Sequence, residues 1–167
     1  FKDAEDVDAV KELIDNWSPR IDIKNTVAFT DIYSNSKLDC ELMNQAFIGV
    51  GISRDNIYIA NIVKCRPPNN RTPLKEEAQS CLNYLRNQVM IIKPKIIVLL
   101  GNTALKNILG EEYGITSTRG KWIEKKGIKY MPTFHPAALL RDESKKIDFW
   151  KDLETVKKEA DTNFYKI

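Results

Sequence analysis

Apolar residues recur along this chain with two periods, and the periods alternate. Ala4, Val7, Val10, Leu13, Ile14 and Trp17 fall at helical spacing and stop before Pro19, which predicts an opening helix over residues 4–17. Residues 26–31 (TVAFTD) then read as a short buried strand. Leu38, Leu42, Met43, Ala46 and Phe47 form the apolar face of a second helix that ends near Gly49 and Gly51. A strand is expected over residues 57–63 (IYIANIV), then a loop from Lys64 to Pro73 stiffened by three prolines. Thr72 and Pro73 suit a helix start, with Glu76 and Glu77 near its positive end. Leu74, Ala78, Cys81, Leu82, Leu85 and Val89 give that helix its apolar side, and it must stop before Pro94.

The second half continues the alternation. Residues 96–100 (IIVLL) are apolar throughout, as expected of a central parallel strand covered on both faces. Residues 102–109 predict a short helix stopped by Gly110. Residues 121–134 suggest two strands around a turn at Lys125, Lys126 and Gly127. A closing helix over 144–160 presents Ile147, Trp150, Leu153 and Val156 on one side. Strands that alternate with helices build a three-layer α/β domain around a mostly parallel sheet. Ligands in such sheets bind beyond the carboxyl ends of the strands, so chemistry is expected after Asp31, Val63, Leu100 and Phe134.

Composition narrows this only a little. The 167 residues fit one domain over 1–167, and no repeat or low-complexity stretch divides them. A start at Phe1 rather than Met is what a piece of a longer product would show. No apolar run approaches the roughly 20 residues that span a bilayer. A net charge of +3 permits a polyanionic partner without requiring one. Three cysteines make no disulfide framework, and their odd number points to a reducing cytoplasm. With one histidine in the chain, any histidine chemistry must lie at His135. No glycine-rich phosphate fingerprint follows any predicted strand, which disfavours a nucleotide-binding enzyme on a generic doubly wound sheet.

Two loops stand out. Residues 61–71 (NIVKCRPPNNR) leave a strand into a basic, proline-stiffened segment. Residues 132–141 (PTFHPAALLR) place the histidine beside a proline and ahead of two leucines and an arginine. Together with Cys81, 16 positions after Cys65, and the intervening KPKIIVLLG, these segments resemble the family 4, iron–sulfur type bacterial uracil-DNA glycosylases in order and spacing. The resemblance runs from about Ser53 to Ala160.

The resemblance implies a uracil-DNA glycosylase-like fold, three layers around a four-stranded and mostly parallel sheet. It also implies excision of uracil from DNA, as in base excision repair, by a cytoplasmic monomer. A glycosylase flips its base out of the stack and reads the Watson–Crick edge in a pocket. Asn61 corresponds to the uracil reader, since an amide both donates and accepts; the alternative is a strand-end asparagine that satisfies local backbone. His135 corresponds to the motif histidine that donates to uracil O2 as charge develops there. Leu139 and Leu140 would fill the gap left by the flipped base, and Arg141 would meet phosphate. Arg66, Arg71, Arg119, Lys121, Lys125, Lys126 and Lys129 either grip phosphates or form a solvated basic face.

Two departures from the family are visible. Its first motif carries a glycine-rich acidic segment and a longer loop with a uracil-stacking phenylalanine. Here the strand runs into Thr30, Asp31, Ile32 and Tyr33, and the next helix follows almost at once. By register Asp31 takes the water-positioning place, or merely caps a turn; Tyr33 or Phe29 is the nearest stacking aromatic. The family also holds a four-iron, four-sulfur cluster on four cysteines. Cys65 and Cys81 match one pair as metal ligands, Cys81 also being a plausible core cysteine. No cysteine precedes Thr26, and Cys40 fits neither missing place, so the cluster is expected to be absent or easily lost. The competing reading is a non-catalytic DNA-binding or scaffolding module on the same fold.

Overall fold

A computed structural model of the chain describes residues 26–30, 37–65 and 67–163. The predicted helix over 4–17, together with Asp31, Tyr33 and Arg66, lies outside the described residues. Among the described residues five strands form one sheet in the order β2-β1-β3-β5-β4: β1 (Thr26–Thr30), β2 (Ile57–Asn61), β3 (Ile96–Leu100), β4 (Ile123–Lys125) and β5 (Ile128–Thr133). The expected count of four is corrected to five. β1, β2, β3 and β5 are mutually parallel, and β4 pairs antiparallel with β5 as an edge strand. The hairpin between them turns at Lys126 and Gly127, with φ of +54° and +76°. Two successive positive φ values suit the right-handed twist of a tight hairpin.

Among the described residues six α-helices accompany the strands: α1 (Lys37–Gly49), α2 (Lys75–Ile92), α3 (Gly101–Ile108), α4 (Ile115–Thr118), α5 (Pro136–Arg141) and α6 (Lys145–Asn163). β3 is buried at every position, and its alternation divides the interior in two. Ile96, Val98 and Leu100 pack with Met43 and Phe47 of α1, Leu139 of α5, and Phe149, Leu153 and Val156 of α6. Ile97 and Leu99 face the other way, onto Ala78 and Leu85 of α2 and Ala104 and Leu105 of α3. Helices therefore cover both faces, which is why β3 carries no polar residue.

Local differences from the sequence reading have physical causes. α2 starts at Lys75 rather than at Thr72, because the Glu77 carboxylate accepts the Leu74 N–H at 2.8 Å and caps the first turn from inside. α6 buries Phe149, Asp152, Leu153, Val156 and Ala160, while Ile147 and Trp150 are 64% and 39% exposed. Its buried stripe is rotated from the predicted one, because a buried aspartate belongs to it.

The direction of winding fixes where ligands can bind. β1 leads through α1 to β2 on one side, and the chain then crosses to β3 on the other side of β1. In open α/β sheets such a reversal is where ligands bind, beyond the carboxyl ends of the two strands, here β1 and β3.

Candidate active site

The register places four strand ends on one line: Thr30 pairs with Asn61 and with Leu100, and Leu100 pairs with Thr133. Thr30, Asn61, Gly101 and the segment after Thr133 thus share one edge of the sheet. Asn61 and His135, 74 positions apart in the sequence, are brought to that edge. Neither is fully buried.

His135 is held in a defined state. Its backbone is extended (φ −76°, ψ 143°), and it caps α5, whose first position is Pro136, where a missing N–H costs nothing. The His135 Nδ1 accepts the Ala137 N–H at 3.0 Å. With Nδ1 occupied as an acceptor, the neutral ring carries its proton on Nε2, which is shielded from solvent. An imidazole so pinned offers one N–H donor in a fixed direction.

Gly101 makes this placement feasible. Its φ is +89°, and a Cβ built there would lie 2.9 Å from His135 Cβ. The glycine closing the KPKIIVLLG segment thereby gives the histidine its space. The signal for this role in the sequence is a glycine directly after an apolar strand.

A buried ionic network stands behind the same segment. Asp152, 3% exposed, accepts from Thr133 Oγ1 at 2.6 Å, from Arg119 Nε at 3.0 Å and from a terminal Arg119 nitrogen at 2.5 Å. Arg119 also donates to the Asp148 carbonyl at 3.1 Å and lies 5.6 Å from the Phe134 ring centre. Its hydrogen bonds to Asp152 hold the guanidinium pKa above its ordinary value. Arg119 is therefore committed inward, not available as a phosphate-gripping residue.

The far side of the site rests on Lys64. Its ammonium donates to the Asn61 carbonyl at 3.0 Å and to Gln88 Oε1 at 3.1 Å, and Gln88 donates onward to the Tyr58 hydroxyl at 2.9 Å. Burial pushes the Lys64 pKa down to about 8. Nothing in a strand-end lysine announces this role. The partner glutamine lies 24 positions away.

The remaining expected residues divide. Leu139 is 1% exposed and belongs to the core, so it is corrected from a DNA-inserting residue to a packing one. Spacing explains this, since Leu139 follows Pro136 by three and shares its inward face, whereas Leu140 is 46% exposed. Arg141 is exposed at the end of α5. Arg71 is exposed but forms a two-pronged pair with Glu77, at 2.9 and 2.7 Å. This pair and the Leu74 N–H hold the Glu77 carboxyl down at about 2. Lys121 is exposed and donates to the Ser117 carbonyl at 2.8 Å.

Lys125 ends β4, Lys126 is in the hairpin turn and Lys129 is near the start of β5, at the other end of that strand from His135. Lys125 and Lys126 are exposed, as the solvated-face alternative has them. Lys129 is moreover paired with Glu159.

The two cysteines named as metal ligands differ in their surroundings. Cys65 is exposed, whereas Cys81 is half-buried, packs against the second core and accepts the Lys64 N–H at 3.3 Å. Among the described residues no group of three or more His, Cys, Asp or Glu side chains is placed to hold a metal ion. Among the described residues no helix is long and apolar enough to cross a membrane.

The model of the uracil DNA glycosylase superfamily matches residues 18–154. A type-4 uracil-DNA glycosylase of Thermotoga maritima is 46% identical over 118 residues, covering 66% of this chain and 62% of that protein. One from Pyrobaculum aerophilum is 39% identical over 123 residues, 68% of this chain and again 62% of the relative. The chain thus spans 62% of the length of these two relatives. A DNA polymerase of Bacillus phage SP01 is 36% identical over 115 residues, 68% of this chain but 12% of the polymerase.

Proposed function

The chain belongs to the uracil DNA glycosylase superfamily, and we propose that it excises uracil from DNA by hydrolysing the N-glycosidic bond. One observation carries this reading. The lone histidine is pinned through Nδ1, so that its Nε2–H is a fixed donor at the sheet edge that also holds Asn61.

The chemistry follows from charge. As the bond between C1′ and uracil N1 breaks, its electron pair moves onto the base, and negative charge accumulates at uracil O2. The His135 Nε2–H meets that charge, a service typically worth a few kcal/mol of barrier when the donor is preorganised. Asn61 donates to and accepts from the edge of the flipped base, with its backbone held by Lys64. Asp31 takes the water-positioning role that the family resemblance gives it. In this reading its carboxylate orients the water that attacks C1′ and takes the proton released, leaving an abasic sugar and free uracil. Tyr33 is assigned the stacking role of the family's phenylalanine. Leu140 fills the vacated stack, and Arg141, with Arg66 and Arg71, contacts phosphate.

Cys65 and Cys81 are the residues of this sequence that would hold a four-iron cluster as in the family, and no step is routed through one. We assign the chain one domain over 1–167, acting as a cytoplasmic monomer. The test is incubation with a uracil-containing oligonucleotide, followed by alkaline scission of abasic sites. Strand cleavage that fails in Asp31→Ala supports the assignment of the water site.

The stretch shared with a phage DNA polymerase favours keeping a second reading, a non-catalytic DNA-binding or scaffolding module. Tight, salt-sensitive binding of uracil-containing DNA with no cleavage would select it.

A further inference from the structure

We propose that Asp152, acting through Arg119 and Thr133, is a positioning residue that sets the aim of His135. The proposal rests on the reading of His135 as the donor to uracil O2. Three consecutive residues lead to that histidine, and one assembly holds all three. The Pro132 carbonyl accepts the Gly120 N–H at 2.9 Å. The Thr133 hydroxyl donates to Asp152 at 2.6 Å, and the Phe134 ring lies 5.6 Å from the Arg119 guanidinium. Arg119 in turn grips Asp152 with two nitrogens.

Gly120 is part of the same device. Its φ is +71°, and a Cβ there would stand 2.7 Å from Asp152 Oδ1. The turn therefore brings backbone against a buried carboxylate where no other residue fits without displacement. α6, the turn at 119–120 and the end of β5 become one rigid unit at the point where the chain departs for His135.

Stability alone is a weak reason for such a unit. Replacing a buried ion pair by well-packed apolar side chains is often neutral or stabilising. What an apolar substitute cannot supply is directional fixation of a strand end, and catalytic donors lose effectiveness when their supporting contacts loosen.

The test pairs Thr133→Val, which removes the hydroxyl and keeps the shape, with Thr133→Ser, which restores the hydroxyl. Asp152→Asn serves as a third variant. Two readouts are taken: single-turnover uracil release against DNA concentration, and the ring ¹⁵N signals of the only histidine in the chain. Thr133→Val is expected to lower the maximal rate by about tenfold or more, since small misplacements are costly, with half-saturation by DNA unchanged. Its His135 signals should move from the Nε2–H pattern toward a tautomer mixture, and Thr133→Ser should recover both.

Parent rate and parent ring signals in Thr133→Val would overturn the proposal, even if that variant melts earlier. Should Asp152→Asn fail to fold, the threonine pair still decides. Should the parent release no uracil, the functional reading falls separately, and the ring signals alone judge the positioning.

Discussion

Gly101→Ala adds one methyl group at the point where β3 and His135 meet, and its effect is calculable from two features. The first is backbone: at φ +89° a side chain is strained, at a cost of about 1–3 kcal/mol. The second is contact: the new Cβ would stand 2.9 Å from His135 Cβ, whereas ordinary van der Waals contact begins at 3.4 Å. The difference requires a retreat of about 0.5 Å, shared between α3 and the histidine. A displacement of about 1 Å can cost about a hundredfold in rate, so a loss of roughly tenfold in single-turnover excision is expected. Gly127→Ala is the matched control. Its φ of +76° imposes similar strain, but nothing lies within 4 Å and the residue is at the opposite edge of the sheet. Both variants should lose comparable stability in denaturant melts, and only Gly101→Ala should lose rate beyond its unfolded fraction. Equal rates in the two variants would refute the argument that Gly101 makes room for the histidine.

Three further outcomes follow. Leu139→Ala should destabilise the protein by about 2–5 kcal/mol as a core truncation, read by urea melts, whereas Leu140→Ala should leave stability intact and weaken capture of the flipped base. Arg141→Ala should reduce the slope of log affinity against log salt by about 1, while Lys126→Ala, at the far edge, should leave that slope unchanged in titrations of undamaged duplex. The Glu77 carboxyl has its pKa lowered from 4.5 to about 2, so the stability it contributes is present above 4.5 and is lost as pH falls toward 2. Glu77→Gln should flatten that part of the acid melting curve.

The layered architecture was legible because its signal is hydrophobic periodicity. IIVLL over 96–100 could only be a strand covered twice, and the strand bears this out, buried at every position. The hairpin was legible from its glycine turn, but not the address of its lysines, because strand direction decides which edge a turn occupies. α6 shows the limit most clearly. Trp150 and Ile147 outrank Asp152 on any hydrophobicity scale, yet the aspartate is buried, because Arg119 and Thr133 offset the cost of its charge. Such partners lie 33 and 19 residues away, beyond any local pattern. The adjacent leucines of the histidine segment were read as equivalent; helical phase separates them into core and surface.

The account centres on His135 as a donor to charge that exists only in the transition state. Single-turnover release of uracil by the parent chain and by His135→Ala, measured alongside their affinity for undamaged DNA, tests this most directly. The account predicts a rate loss of about a hundredfold or more with affinity nearly unchanged. An active parent whose rate survives the substitution would contradict it.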